Sequence, residues 1–222
     1  MKLVIINPNS DPVQTQYIDQ AARAYAAGAY EVCTRATPGA PLSIDTYQDA
    51  AQALPGMMAL VRQLEGEADG FIIACHGDPN LDVMKEMTRK PVVGIGEASM
   101  KVASMLGHRF SVVSAGDRGI PNKEANIHRY GLDCSLASLR CPGLDCNATD
   151  MAGKLENAAR HAVQEDGAEV IVLSAAGQIQ LARELTQKLG VPVLDGLPCA
   201  LTLVEGLCKM GVSVSNLRRY RC

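Results

Sequence analysis

Shifted by one hundred residues, the chain nearly matches itself. Ala68-Asp69-Gly70-Phe71-Ile72-Ile73-Ala74-Cys75-His76-Gly77 lines up with Ala168-Glu169-Val170-Ile171-Val172-Leu173-Ser174-Ala175-Ala176-Gly177. Each copy runs from an acidic turn through an apolar strand into a small-residue loop that opens a helix. A second short strand follows each copy, Lys90-Pro91-Val92-Val93-Gly94 and Gly190-Val191-Pro192-Val193-Leu194. Such repetition predicts an α/β fold of two Rossmann-like lobes with parallel sheets, related by a pseudo-two-fold axis. Equivalent strand ends would face one interlobe cleft, the expected place for the active site. The expected lobes are residues 1–97, joined by a C-terminal helix over 198–222, and residues 98–197.

Short runs rich in Val, Ile and Leu mark strands at 2–6, 30–35, 70–75, 91–95, 109–114, 134–139, 169–174 and 191–195, as buried parallel strands require. Asp11-Pro12-Val13-Gln14 supplies an N-cap residue, Pro at the first helical position and Gln at the third, which predicts a helix from 12 to about 27. Asp78-Pro79 repeats that start signal just after Cys75. Further helices are expected over 97–106, 150–165, 178–189 and 198–210, each with a glycine shortly beyond its last turn.

Composition narrows the function. A net charge of −3 argues against a nucleic-acid partner, and the basic run Arg218-Arg219-Tyr220-Arg221 reads as a solvated tail. The start of the chain goes directly into a strand, and no apolar run approaches the ~20 residues that span a bilayer. A soluble cytoplasmic protein with no membrane partner is expected. Eight cysteines in a chain of this size, without a secretion signal, should be mostly reduced, buried and inert. Cys134, Cys141 and Cys146 lack the paired spacing and the neighbouring His residues of a zinc site, so no metal is expected.

Ligands of open α/β sheets bind beyond the carboxyl ends of the strands. Four such ends carry polar groups: Asn7-Pro8-Asn9-Ser10, Cys75-His76-Gly77-Asp78, Ser114-Ala115-Gly116-Asp117 and Ser174-Ala175-Ala176-Gly177. At a strand end before a helix opening at Asp78-Pro79, the Cys75 thiol would gain thiolate character from exposed amides and the helix dipole. A thiolate there takes a proton from carbon or attacks a carbonyl; the competing reading is an inert core cysteine. Asn7, Asn9 and Ser10 suit a carboxylate, imide or ureido group, or equally the ordinary capping of a turn. His76 is read as a pocket-shaping or surface residue before it is read as a base. His108, His128 and His161 are read as solvated.

These motifs resemble the aspartate/glutamate/hydantoin racemase superfamily, above all its hydantoin and allantoin racemases. The resemblance rests on Asn7-Pro8-Asn9-Ser10, on Pro41-Leu42-Ser43-Ile44-Asp45, and on Cys75-His76-Gly77-Asp78-Pro79-Asn80-Leu81, where the family usually has Phe at the place of His76. Pro91 to Ala98, Phe110 to Val113, Glu169 to Leu173 and Val191 to Gly196 extend it over nearly the whole chain. It implies a cofactor-independent, metal-free and commonly homo-oligomeric enzyme acting on a small molecule. Two cysteines there flank the substrate, one removing the proton α to a carbonyl and the other returning a proton to the opposite face. It makes Cys75 catalytic and Asn7, Asn9, Ser10, Ser43, His76, Gly77, Ser114, Ser174 and Gly177 candidates for substrate binding.

Here the chain departs from the family. Ser174-Ala175-Ala176-Gly177-Gln178 stands where the family motif reads Gly-Cys-Ala-Gly-Met, and the methyl of Ala175 carries no proton. Because Ser174 and Gln178 differ as well, natural divergence stands beside an introduced Cys→Ala change as the explanation. Three readings remain. The first is a racemase or isomerase acting α to a carbonyl of a hydantoin-like, ureido or amino-acid-derived compound, with Ser174, Gln178 or a water serving the second face. The second is a single-cysteine hydrolase or decarboxylase; the third is a small-molecule binding protein without turnover.

Overall fold

Two four-stranded sheets, every strand pair parallel, form the frame of the computed structural model, which describes residues 1–142, 151–215 and 217–220. The expected start of a helix at Asp150, Cys146 and Arg221 lie outside the described residues. By proximity of its backbone the chain divides into two units, Met1–Ile95 with Ala200–Cys222, and Gly96–Cys199.

In the first unit β1 (Lys2–Asn7), β2 (Glu31–Ala36), β3 (Gly70–Ile73) and β4 (Val92–Gly94) lie in the order β2-β1-β3-β4. Their connections are α1 (Pro12–Ala26), α2 (Tyr47–Leu64) and α3 (Leu81–Met87). The second unit opens at Gly96 within α4 (Ile95–Leu106) and repeats the order with β5 (Phe110–Val113), β6 (Leu136–Arg140), β7 (Val170–Leu173) and β8 (Val193–Asp195), as β6-β5-β7-β8. Helices α5 (Ile120–Tyr130), α6 (Met151–Gln164) and α7 (Ile179–Leu189) connect these strands, and α8 (Gly196–Met210) follows the last. Identical strand order is what the internal repeat requires.

β3 and β7 are buried along their whole length, so the alternation of a one-sided sheet gives way to unbroken apolar runs. In the first unit Phe71 and Ile73 pack with Met57, Val61 and Met84. In the second, Ile171 and Leu173 pack with Ala159 and Leu185, while Phe110 and Val172 pack with Met100 and Ile127.

Local signals decide the helix ends. The carboxylate of Asp11 accepts from the amides of Val13 (2.8 Å) and Gln14 (3.3 Å), with Pro12 opening the helix as expected. Thr46 and Asp49 form a reciprocal capping box on α2. That helix runs through Pro55-Gly56, a pair that reads as a breaker in sequence. The glycine is there for contact: a Cβ at position 56 would lie 2.2 Å from the Pro38 carbonyl oxygen. Gly70 does the same under α8, where an added Cβ would meet Val204 at 2.4 Å. α8 ends at Met210 before Gly211, as the helix expected over 198–210 does, and does not extend to residue 222 as the lobe assignment expected. Nor is the basic run beyond it simply a solvated tail, because the Tyr220 hydroxyl donates to Asp82 Oδ1 at 2.8 Å.

Candidate active site

Loops at the carboxyl ends of the strands carry the candidate residues, and each unit holds its own set. In the first unit Asn7 ends β1 with no exposed surface. Its side-chain amide donates to Asn9 Oδ1 (2.6 Å) and Thr15 Oγ1 (2.8 Å). Asn9 Nδ2 donates in turn to Gln14 Oε1 (2.5 Å). Both asparagines brace the turn into α1, which is the capping chemistry of the pair of readings offered by their sequence. The Ser10 amide donates to the Pro41 carbonyl (2.9 Å), tying this turn to the 41–45 loop. In that loop Ser43 is exposed and its hydroxyl donates to Asp45 (2.8 Å).

Cys75 stands just beyond β3 and is half-buried. It is neither sealed in the core nor fully solvated. The loop after it corrects three expectations. Asp78 is not the N-cap of a helix: it adopts φ +46, and α3 begins three residues later at Leu81, preceded by Asn80 at φ +59 with no side-chain cap bond. Two non-glycine residues in the left-handed region within three positions make this a strained loop, the kind that persists where surrounding structure holds it. Because α3 has only seven residues and starts six positions after Cys75, its dipole is a weak source of thiol activation. His76 is only 4% exposed, which removes the surface reading.

Asp78 is the residue that sequence reasoning missed. Its side chain is 2% exposed, and its amide donates to the Cys75 carbonyl (2.9 Å). A Cβ on Gly94, at the end of β4, would lie 2.1 Å from Asp78 Oδ1. The carboxylate therefore occupies the space that a side chain at position 94 would need. A signal existed in Gly94 itself, since a glycine at the end of a buried strand marks close approach.

In the second unit Ser114 ends the run of β5, with its amide on the Arg140 carbonyl (2.8 Å) and its hydroxyl donating to the Gly116 carbonyl (2.8 Å). Arg140, at the end of β6, grips Asp166 with Nε and Nη2 (2.5 and 2.8 Å), which holds that carboxyl down at about 2. Ser174, Ala175 and Ala176 follow β7 partly exposed, and Gly177 is buried at φ +83. The Ser174 amide donates to the Val113 carbonyl (2.8 Å). Asp195, ending β8, is 3% exposed, and its Oδ1 accepts from the Leu197 amide (2.7 Å). Burial lifts its carboxyl from 3.8 to about 6, against the opposing pull of the Leu197, Gly177 and Gln178 amides.

Of the six described cysteines only Cys33 and Cys199 are buried, against the expectation that most would be; Cys75, Cys141 and Cys208 are partly exposed and Cys134 is exposed. Burial drives the Cys199 thiol up to about 12, with Asp195 adding to the shift. Among the described residues no three His, Cys, Asp or Glu side chains gather as a metal site.

Comparison with known proteins agrees with this architecture. The family model described as Asp/Glu/Hydantoin racemase matches residues 3–204. A hydantoin racemase of Pseudomonas sp. (strain NS671) is 36% identical over the full chain and 91% of its own length. The structure of an allantoin racemase from Klebsiella pneumoniae superposes with a TM-score of 0.92 at 33% identity, covering 99% of this chain and 92% of that one. An arylmalonate decarboxylase structure superposes with a TM-score of 0.67 at 15% identity, over 94% of this chain and 92% of that one; it shares the fold.

Proposed function

Because the chain belongs to the Asp/Glu/hydantoin racemase family, we propose that it inverts a carbon α to a carbonyl in a hydantoin-like or ureido compound, with Cys75 as the acid/base. The observation that carries this reading is Cys75 itself, partly exposed at the end of a fully buried strand in a chain matched throughout by hydantoin racemases. In such a substrate the Cys75 thiolate accepts the proton on the α carbon. The C–H electrons pass into the carbonyl and leave a planar enolate, which loop amides stabilise. Return of a proton to the opposite face completes inversion. Ala175 cannot supply it, so that step falls to Ser174, Gln178 or a water. No cofactor takes part on this reading, and the enzyme works as a cytoplasmic homo-oligomer. The family likeness supports the cofactor-free chemistry and the oligomer; among the described residues no helix is long and apolar enough to cross a membrane.

Ala175 favours a second reading, in which Cys75 acts alone as the proton donor of a decarboxylase or the nucleophile of a hydrolase. Incubation of an enantiopure 5-substituted hydantoin, or of allantoin, in deuterated water separates the two. The racemase reading expects deuterium at the stereocentre in step with loss of optical rotation. Cys75→Ser should lower that exchange by on the order of 10³-fold, and Ala175→Cys should raise it. Release of a ring-opened acid without exchange, or of carbon dioxide from an α-substituted malonate supplied in place of the hydantoin, would establish the second reading instead.

A further inference from the structure

We infer that Asp195 is the positioning residue of the 174–178 loop, its buried carboxyl orienting the loop amides. Within the second unit its geometry is specific. Strand register pairs Leu173 with Asp195, so the carboxyl leaves β8 directly beside the point where β7 passes into the loop. Oδ1 accepts from the Leu197 amide at 2.7 Å, and the amides of Gly177 and Gln178 face the same carboxyl from the loop. Oδ2 is buried without a hydrogen-bond partner, and so is Gln178 Oε1. Two orphan acceptors in one neighbourhood are costly, and a proton on Oδ2 turns one of them into a donor. Ionised, the carboxyl accepts from the Leu197 amide and draws the nearby Gly177 and Gln178 amides toward its charge; protonated, it loses that pull.

The groups around it leave that choice to burial. Cys199 of α8 lies close enough for the Asp195 charge to raise its thiol further. The charged residues of α7, Arg183, Glu184 and Lys188, are exposed to solvent. Against the amides, burial raises the carboxyl to about 6, so the change of state falls in a range where enzymes are assayed.

The inference rests on the racemase reading for its kinetic arm alone. Amide hydrogen exchange at Gly177 and Gln178 tests it without turnover. Corrected for intrinsic rates, exchange in Asp195→Asn should be about tenfold faster than in the wild type near pH 7.5. The wild type itself should lose that protection near pH 5, and this arm needs no substitution. In kinetics, kcat of the wild type should fall below pH 6 while Asp195→Asn is slower and flat there, with KM little changed. Unaltered exchange in a folded Asp195→Asn, or an unmoved pH limb, would overturn the inference. Should the wild type act on no hydantoin or ureide, the racemase reading fails, and the amide arm still decides the role of Asp195.

Discussion

The loops that follow β3 and β7 solve one packing problem from opposite sides. In the first unit Gly94, paired with Ile73, leaves room for a carboxylate that Asp78 sends in from the loop. In the second unit Asp195, paired with Leu173, sends the carboxylate from the strand toward the loop, where Gln178 stands one hundred positions on from Asp78. Each unit thus buries one acid between a reactive-end loop and its neighbouring strand end, but the acid and the neutral residue have exchanged places. The two units thus place a buried carboxyl at the same point of the fold from different positions in the sequence. The difference also separates the loops chemically: the strained one keeps its thiol, and the other carries a methyl.

Breaking the first arrangement should have the larger effect. Gly94→Ala puts a methyl 2.1 Å from Asp78 Oδ1 and must displace a buried carboxylate, which should cost about 4 kcal/mol in urea unfolding. A loss below about 1 kcal/mol would mean that Asp78 has another place to go. Next comes the acid of the second unit. The Asp195 pKa is raised in the native state, from 3.8 to about 6, so the folded protein holds this proton more tightly than the unfolded chain. The stabilisation is complete below about pH 4 and is lost as pH rises through 6. Asp195→Asn should therefore gain roughly 3 kcal/mol on the wild type between pH 4 and 7.5, read from paired denaturant titrations; a constant difference across that range would contradict the shift. The smallest effect tests interchangeability itself. Gln178→Asp adds a second acid beside Asp195 and should destabilise by about 2 kcal/mol at neutral pH, and Asp195→Gly in the same chain should restore much of that loss by copying the arrangement of the first unit.

Much of this frame was legible in the residues. The one-hundred-residue repeat gave the parallel sheets, and Asp11-Pro12 gave the start of α1, because burial and capping leave direct marks on composition. Other features left none. α2 hides its continuity behind Pro55-Gly56, where tertiary contact with Pro38 overrides local preference. The burial of His76 and the turn at Asp78 depend on left-handed backbone that Asp-Pro-Asn disguises as a helix start. Asp195 was visible as part of a matching segment, but its partners are amides of a loop near residue 177, and a contact between distant stretches has no local signature.

One consequence follows from where α8 lies. Its first residues belong to the second unit and those from Ala200 onward to the first, with Val204 seated against Gly70 of β3. On the ribosome the first unit is thus begun before the second and completed after it: until residues 200–210 emerge, the Gly70 flank of its sheet stands bare. A nascent chain arrested near residue 195 should expose that flank to chaperones and proteases, and emergence of α8 should hide it.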